Sequence, residues 1–159
     1  MPNSKLWWVD HLQCPNRFLM HIVPHNTQDL ASLGDAATSL GFAICCINGE
    51  KINSKESLLN AIARSMKFPS YFGKNWDALE DLINDLSWWD VKGFLLIFEQ
   101  ADSFAHSSIS EFLVFFEIFL NAIESWHMKD IPFYGVITYN DDSVANKFLI
   151  GEKRSICFH

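Results

Sequence analysis

Nearly unbroken apolar runs at 42–48 and 93–99, and a further one at 132–138, constrain this chain more than any other feature, because helical patterns separate them. Strands that are greasy on both faces must be covered on both, and strands alternating with helices pair most simply in parallel. The expected fold class is therefore α/β, with a small, mainly parallel sheet and helices packed on it. A further strand pattern at 17–23 closes at Pro24. Thr27 or Asp29 can cap a helix running to about Leu40, with Leu30, Leu33, Ala37 and Leu40 as its apolar stripe, and Gly41 ends it. The run at 42–48 reads as a strand buried on both faces, and Asn48-Gly49 supplies the turn after it. Ser54 caps the next helix, with Glu56 in its positive first turn and Leu58, Leu59, Ile62, Ala63 and Met66 facing inward. A long helix is expected from about Ser107 to Trp126, and the tail from 141 to 159 is weakly patterned.

A length of 159 residues suits one domain, and 49% apolar with 14% aromatic residues gives it a core that needs no staples. Residues 1–41 read as an extension packed on the sheet, 42–139 as the core and 140–159 as a tail. No repeats, low-complexity tracts or linkers interrupt them. The formal charge of −7 disfavours nucleic-acid backbones and anionic membranes and favours basic partners. Met1 to Asp10 lacks the basic start and apolar run of a signal peptide, and the greasy stretch 112–123 is too short to span a bilayer. Cys14, Cys45, Cys46 and Cys157 form no CxxC pair. Adjacent Cys45 and Cys46 point to opposite faces of a strand and read as small core residues. The cytoplasm is the expected location.

Between Asn75 and Val91 there is no lysine or arginine, yet Asp77, Glu80, Asp81, Asp85 and Asp90 all fall there. Asn75 is the expected cap of a short helix. At about 100° per residue, Asp77, Glu80, Asp81, Asn84 and Asp85 share an arc of about 140°, with Trp76, Leu79, Leu82, Ile83 and Leu86 opposite. Like charges one turn apart cost about 0.2–0.5 kcal/mol per pair. Only Asp77, in the first turn, recovers something from the helix dipole. A helix built for stability alone would mix signs. A solvated acidic face is the plain alternative, but Tyr71, Phe72, Trp88 and Trp89 border the patch, and aromatics beside charge are the material of binding hot spots.

The string Tyr71-Phe72-Gly73-x-Asn75-Trp76-Asp77-Ala78-Leu79 resembles the barstar family, the intracellular inhibitors of barnase-type ribonucleases. The likeness begins at Ile47-Asn48-Gly49-Glu50-Lys51-Ile52, takes in the block 69–82 and continues more loosely to 133–138, a little over half of the chain. Asp85-Leu86-Ser87-Trp88 is similar to a longer branch with an N-terminal extension. The resemblance implies a three-layer α/β fold that binds through the acidic helix and the loop before it. It implies that Asp81 enters a nuclease active site at a phosphate position, with Asp77, Tyr71 and the loop through Asn75 on the basic rim. Glu80 stands where the best-known family inhibitor has tryptophan, and the acid that the family supplies from a later helix aligns near Asn121. The resulting partner-binding set is Tyr71, Phe72, Gly73, Asn75, Trp76, Asp77, Glu80, Asp81, Asn84, Asp85 and Trp88. The expected function is non-catalytic inhibition, of the antitoxin or immunity type, of a basic, toxin-like ribonuclease. A barstar-fold interaction module with another partner is the alternative, and a carboxylate-dependent hydrolase a more distant one.

Other signals point nowhere else. Asp77 with Asp81 could be offered as an acid–base pair, but a helix face open to water does not perturb pKa values as a catalytic cleft does. No nucleophile elbow, phosphate loop, dinucleotide fingerprint or HExxH is present. His21 and His25 are four apart, yet Pro24 lies between them at the end of a strand, so no metal or cofactor is expected. In the long helix, Ile109, Phe112, Leu113, Phe116, Phe119, Leu120 and Ile123 form the expected core stripe. Val114, Phe115 and Ile118 lie outside it, either covered by the N-terminal extension or forming a surface for weak self-association within 108–125.

Overall fold

The computed structural model describes residues 20–141 and the backbone of 156–158. The elements run β1 (Met20–Pro24), α1 (Thr27–Ser39), β2 (Phe42–Asn48), a 3-10 turn (Gly49–Lys51), α2 (Lys55–Ser65), α3 (Trp76–Asp85), β3 (Gly93–Glu99), α4 (Asp102–Ser107), α5 (Ile109–Met128), β4 (Phe133–Tyr139) and β5 (Ile156–Phe158). All described strand pairs are parallel, in the order β2-β3-β4-β1-β5. With helices on the sheet this is the α/β class that the alternating pattern foretells, in the three-layer form that the resemblance implies. The part of the 17–23 strand pattern before Met20 lies outside the described residues. What is described of it enters the sheet itself, with Met20 opposite Gly135 of β4 and Ile156 of β5.

The caps follow local chemistry. The Asn26 side chain accepts from the Gln28 and Asp29 amides and starts α1 in place of Thr27 or Asp29. Ser54 and Ser57 form a reciprocal capping box at α2, each accepting the other's backbone N–H at 3.0 Å. Gly41 follows α1 at φ +80, a conformation only glycine adopts freely.

Two further expectations need correction. The β2 strand is not buried on both faces. It lies at the sheet edge, where Ala43, Cys45 and Ile47 are buried while Phe42, Ile44 and Asn48 are half-buried and Cys46 is exposed. Cys45 and Cys46 do face opposite ways, but only Cys45 is a core residue, and burial pushes its thiol up to about 11. The second correction concerns α5, whose buried face is turned by about 50° from the expected stripe, although Phe112, Phe116, Phe119, Leu120 and Ile123 of that stripe are buried as expected. Phe112, Phe115, Phe116, Phe119, Leu120, Ala122, Ile123 and Trp126 face inward, and Leu113 and Val114 face out. Phe115 stands 5.4 Å from Phe98 and 5.6 Å from Phe119, ring centre to ring centre. It is therefore part of the sheet-facing core and not surface grease awaiting a cover. The buried face lies opposite the polar arc of Ser110, Glu117, Asn121 and Glu124, and there the rings of α5 meet the sheet's own phenylalanines. The short α4 before it was not expected; it carries no side-chain cap to announce it.

Gly49 permits the close approach of the 3-10 turn to the end of β3. A Cβ there would run into the Gln100 and Glu99 carbonyl oxygens, both backbone and unable to yield. Gly49→Ala is expected to cost about 1–3 kcal/mol through overpacking, read as a lower urea midpoint with an unchanged slope. An unchanged midpoint would show that the turn has room after all.

Candidate functional site: an acidic helix held by tryptophans

Asn75 closes the start of α3 twice over. Its Oδ1 accepts the Ala78 amide at 2.8 Å, and its Nδ2 donates to the Gly73 carbonyl at 3.3 Å, fixing the loop onto the helix. At the other end, Leu86 turns the chain in the left-handed region at φ 46 while its side chain is buried, so packing holds a conformation that leucine disfavours. Leu79, Leu82, Ile83 and Leu86 pack inward. Asp77, Glu80, Asp81 and Asp85 are exposed on the opposite side, and Asn84 is half-buried with its amide donating to Glu80 O. No cation among the described residues pairs with any of these carboxylates. The four charges face solvent together.

The loop before α3 brings the aromatic residues alongside. Tyr71 is 73% exposed, an unusual position for a large ring. Tyr71, Phe72, Gly73, Ala78, Asp81 and Leu82 line one shallow groove of about 140 Å³, so the exposed ring and the central carboxylate share a wall. Phe72 and Trp88 are half-buried and meet Phe68 edge-on, at 5.0 and 5.8 Å. Phe68 is a supporting residue that sequence reasoning did not single out.

Indole N–H groups tie the acidic helix to the core. Trp76 Nε1 donates to Glu111 on α5 at 3.1 Å, with Lys55 Nζ 5.2 Å over its ring. Trp88 and Trp89 both donate to the Met66 carbonyl, and Trp126 donates to the Ile83 carbonyl at 2.8 Å. Ile83 O is one of the carbonyls that a helix end leaves without an internal partner. Trp126→Phe keeps the ring's bulk and removes that donor. The expected loss is about 1–3 kcal/mol, measured by urea unfolding, and a stability equal to wild type would sink this account.

Glu111 is the other residue that the sequence did not reveal, since its contact with Trp76 spans 35 positions. It places a later-helix carboxylate beside the first residue of α3. Asn121 is exposed ten residues further along α5, about 15 Å away at 1.5 Å per residue. The two histidines do not form a site: His21 is buried, and His25 Nδ1 lies 2.9 Å from Thr138 Oγ1. Among the described residues no three His, Cys, Asp or Glu side chains converge to hold a metal ion, and no helix is long and apolar enough to cross a membrane.

Fold and site together define a class: an α/β protein that presents a rigid carboxylate helix and an exposed tyrosine. Comparison with known families gives the class its name. A family model described as "Barstar (barnase inhibitor)" matches residues 42–138, and the chain belongs to the barstar family, which is a family of non-catalytic inhibitors. Comparison with curated protein sequences gives no match. Among solved structures, an Aeropyrum pernix ORC2 protein in ADPNP–ADP complexes is similar at a TM-score of 0.63 and 13% identity, over 98% of this chain and 44% of that one. A structure of Drosophila ORC bound to DNA is similar at 0.60 and 11%, over 98% of this chain and 90% of that one. The chain spans about half the length of the ORC2 chains it matches. At such identities the likeness is one of fold.

Proposed function

We propose that this chain is a non-catalytic inhibitor, of the antitoxin or immunity type, that works in the cytoplasm by plugging the phosphate-binding active site of a basic, toxin-like ribonuclease. The observation that carries the reading is the set of four exposed carboxylates on α3, paired with no cation among the described residues, with Asp81 and Tyr71 on one groove. A ribonuclease cleft gathers arginine and lysine to hold phosphate. A rigid carboxylate can occupy that place without offering a bond to cleave. Asp81 is the plug and Asp77 a second anion. Tyr71, Phe72, Gly73 and Asn75 supply shape and hydrogen bonds, Trp76 and Trp88 hold the surface in place, and Glu80, Asn84 and Asp85 form the rim. The −7 charge would steer encounter with a basic enzyme.

Neither nucleotide nor DNA binding comes with the fold. The β1–α1 link, His25-Asn26, has no glycine or lysine to cradle a phosphate, and the net charge repels a nucleic-acid backbone. Glu80 favours one second reading, a barstar-fold module with a different basic partner, because it replaces an apolar contact with charge.

The test titrates the purified chain against a panel of barnase-type ribonucleases while RNA cleavage is followed at low and high salt. Stoichiometric inhibition that weakens with salt is expected. Binding without inhibition would favour the second reading, and no binding to any basic ribonuclease would end the first. Hydrolase activity of the chain itself, with or without divalent metal, would overturn both.

A further inference from the structure

A second concavity, of about 260 Å³, opens where β2 ends, between the 3-10 turn and the last turns of α2. Cys46, Ile47, Asn48, Lys51, Ile52, Ala61, Arg64 and Ser65 line it, and no carboxylate is among them. This matters in a chain with 19 acidic and only 12 basic residues. Lys51 and Arg64 are exposed, and no anion among the described residues pairs with either. Asn48 Oδ1 accepts the Glu50 amide at 3.1 Å, which aims its Nδ2 hydrogens elsewhere. The Cys46 side chain reaches solvent, yet the surrounding walls partly desolvate its thiol and, with the nearby Glu99, raise it, so it stays uncharged at neutral pH and does not neutralise the two cations. The cavity lies at the carboxyl end of β2, the edge strand of the sheet.

From this arrangement we propose a binding site for a small phosphate monoester, distinct from the acidic helix. The Arg64 fork and the Lys51 ammonium would hold the phosphate, with Asn48 Nδ2 as a neutral donor. Ile47, Ile52 and Ala61 would pack against the ligand's carbon portion. Solvated surface cations are the plain alternative, and the concavity argues against it, although Glu99 beside Cys46 opposes an anion from just outside the lining. The α2 dipole works against an anion here, because the carboxyl end of that helix faces the site. Two full cations outweigh its half charge.

Amide chemical shifts of the full chain, titrated at constant ionic strength with inorganic phosphate and with glycerol 3-phosphate, test the site. Saturable shifts confined to 46–52 and 61–66 are expected, with Kd for the monoester near 1 mM or below and weaker binding of inorganic phosphate. Lys51→Gln and Arg64→Gln should each weaken binding about tenfold, and the double variant should lose it. Asp81→Asn, on the other surface, should leave it unchanged, which separates this site from the inhibitory face. Shifts that do not saturate, that spread over unrelated lysines, or that persist in the double variant would overturn the site.

Discussion

Asp81→Ala should weaken binding to an inhibited ribonuclease by at least about 2 kcal/mol, roughly thirtyfold, and by as much as about 5. That range comes from charged interfaces that include complexes of this family. The reason for so large a loss lies on the partner's side. Removing the carboxylate leaves the enzyme's phosphate-site cations buried against an apolar surface with nothing to pair them. Asp81 is exposed and makes no contact that α3 depends on, so the fold should be untouched. Equal urea midpoints for variant and wild type would establish that. Isothermal titration at two salt concentrations then reads the effect, and the variant should also show a shallower salt dependence. Glu80→Ala, at the rim, should change affinity by less than about 1 kcal/mol. Were Asp81→Ala to bind as tightly as wild type, the plug would be the wrong residue and the acidic face only a solvated one.

Phe115→Asp should abolish folding, while its neighbour Val114→Asp should be nearly silent. Phe115 is fully buried among the rings of Phe98, Phe112 and Phe119. Losing the ring costs about 3–5 kcal/mol, and burying a carboxylate with no partner adds more. The sum rivals the 5–15 kcal/mol that typically holds a domain together. Val114 is 40% exposed on the outer side of α5, where an aspartate is solvated and costs about 0.5 kcal/mol or less. Near-UV circular dichroism and gel filtration read both variants. A folded Phe115→Asp monomer would refute the assigned phase of the helix. A change in elution volume of folded Val114→Asp would instead mark the Leu113–Val114 spot as a contact between copies.

These variants mark where the sequence was legible. The amphipathic division of α3 could be read directly, because an acidic arc opposite Leu79, Leu82 and Ile83 allows only one orientation toward a core. Its Asn75 start was legible too, since an N-cap acts over three residues. The same reasoning faltered on α5 because it followed the apolar residues alone: Ser110, Glu117, Asn121 and Glu124 share an arc of about 60°, and the face opposite that arc is the buried one. It faltered on β2 for a related reason: an apolar run shows that a strand can be buried on both faces, not that its neighbours will cover both. An edge position is a property of the whole sheet.

The sequence by itself determined the alternation of strands and helices, the Ser54 and Asn75 caps, the acidic face with its aromatic border, and a family signature specific enough to foretell the fold. Each depends on residues within a turn or two of one another, where periodicity and capping operate. Only the tertiary structure decided the order of strands, which ring fills which gap and what fixes α3 in place. Glu111 under Trp76, Met66 under Trp88 and Trp89, and Ile83 under Trp126 are contacts across 22 to 43 positions. No local pattern encodes such a pairing, because the donor's partner is chosen by packing. The acidic face was written in the chain, and its rigidity came from the tryptophans that the fold brought beneath it.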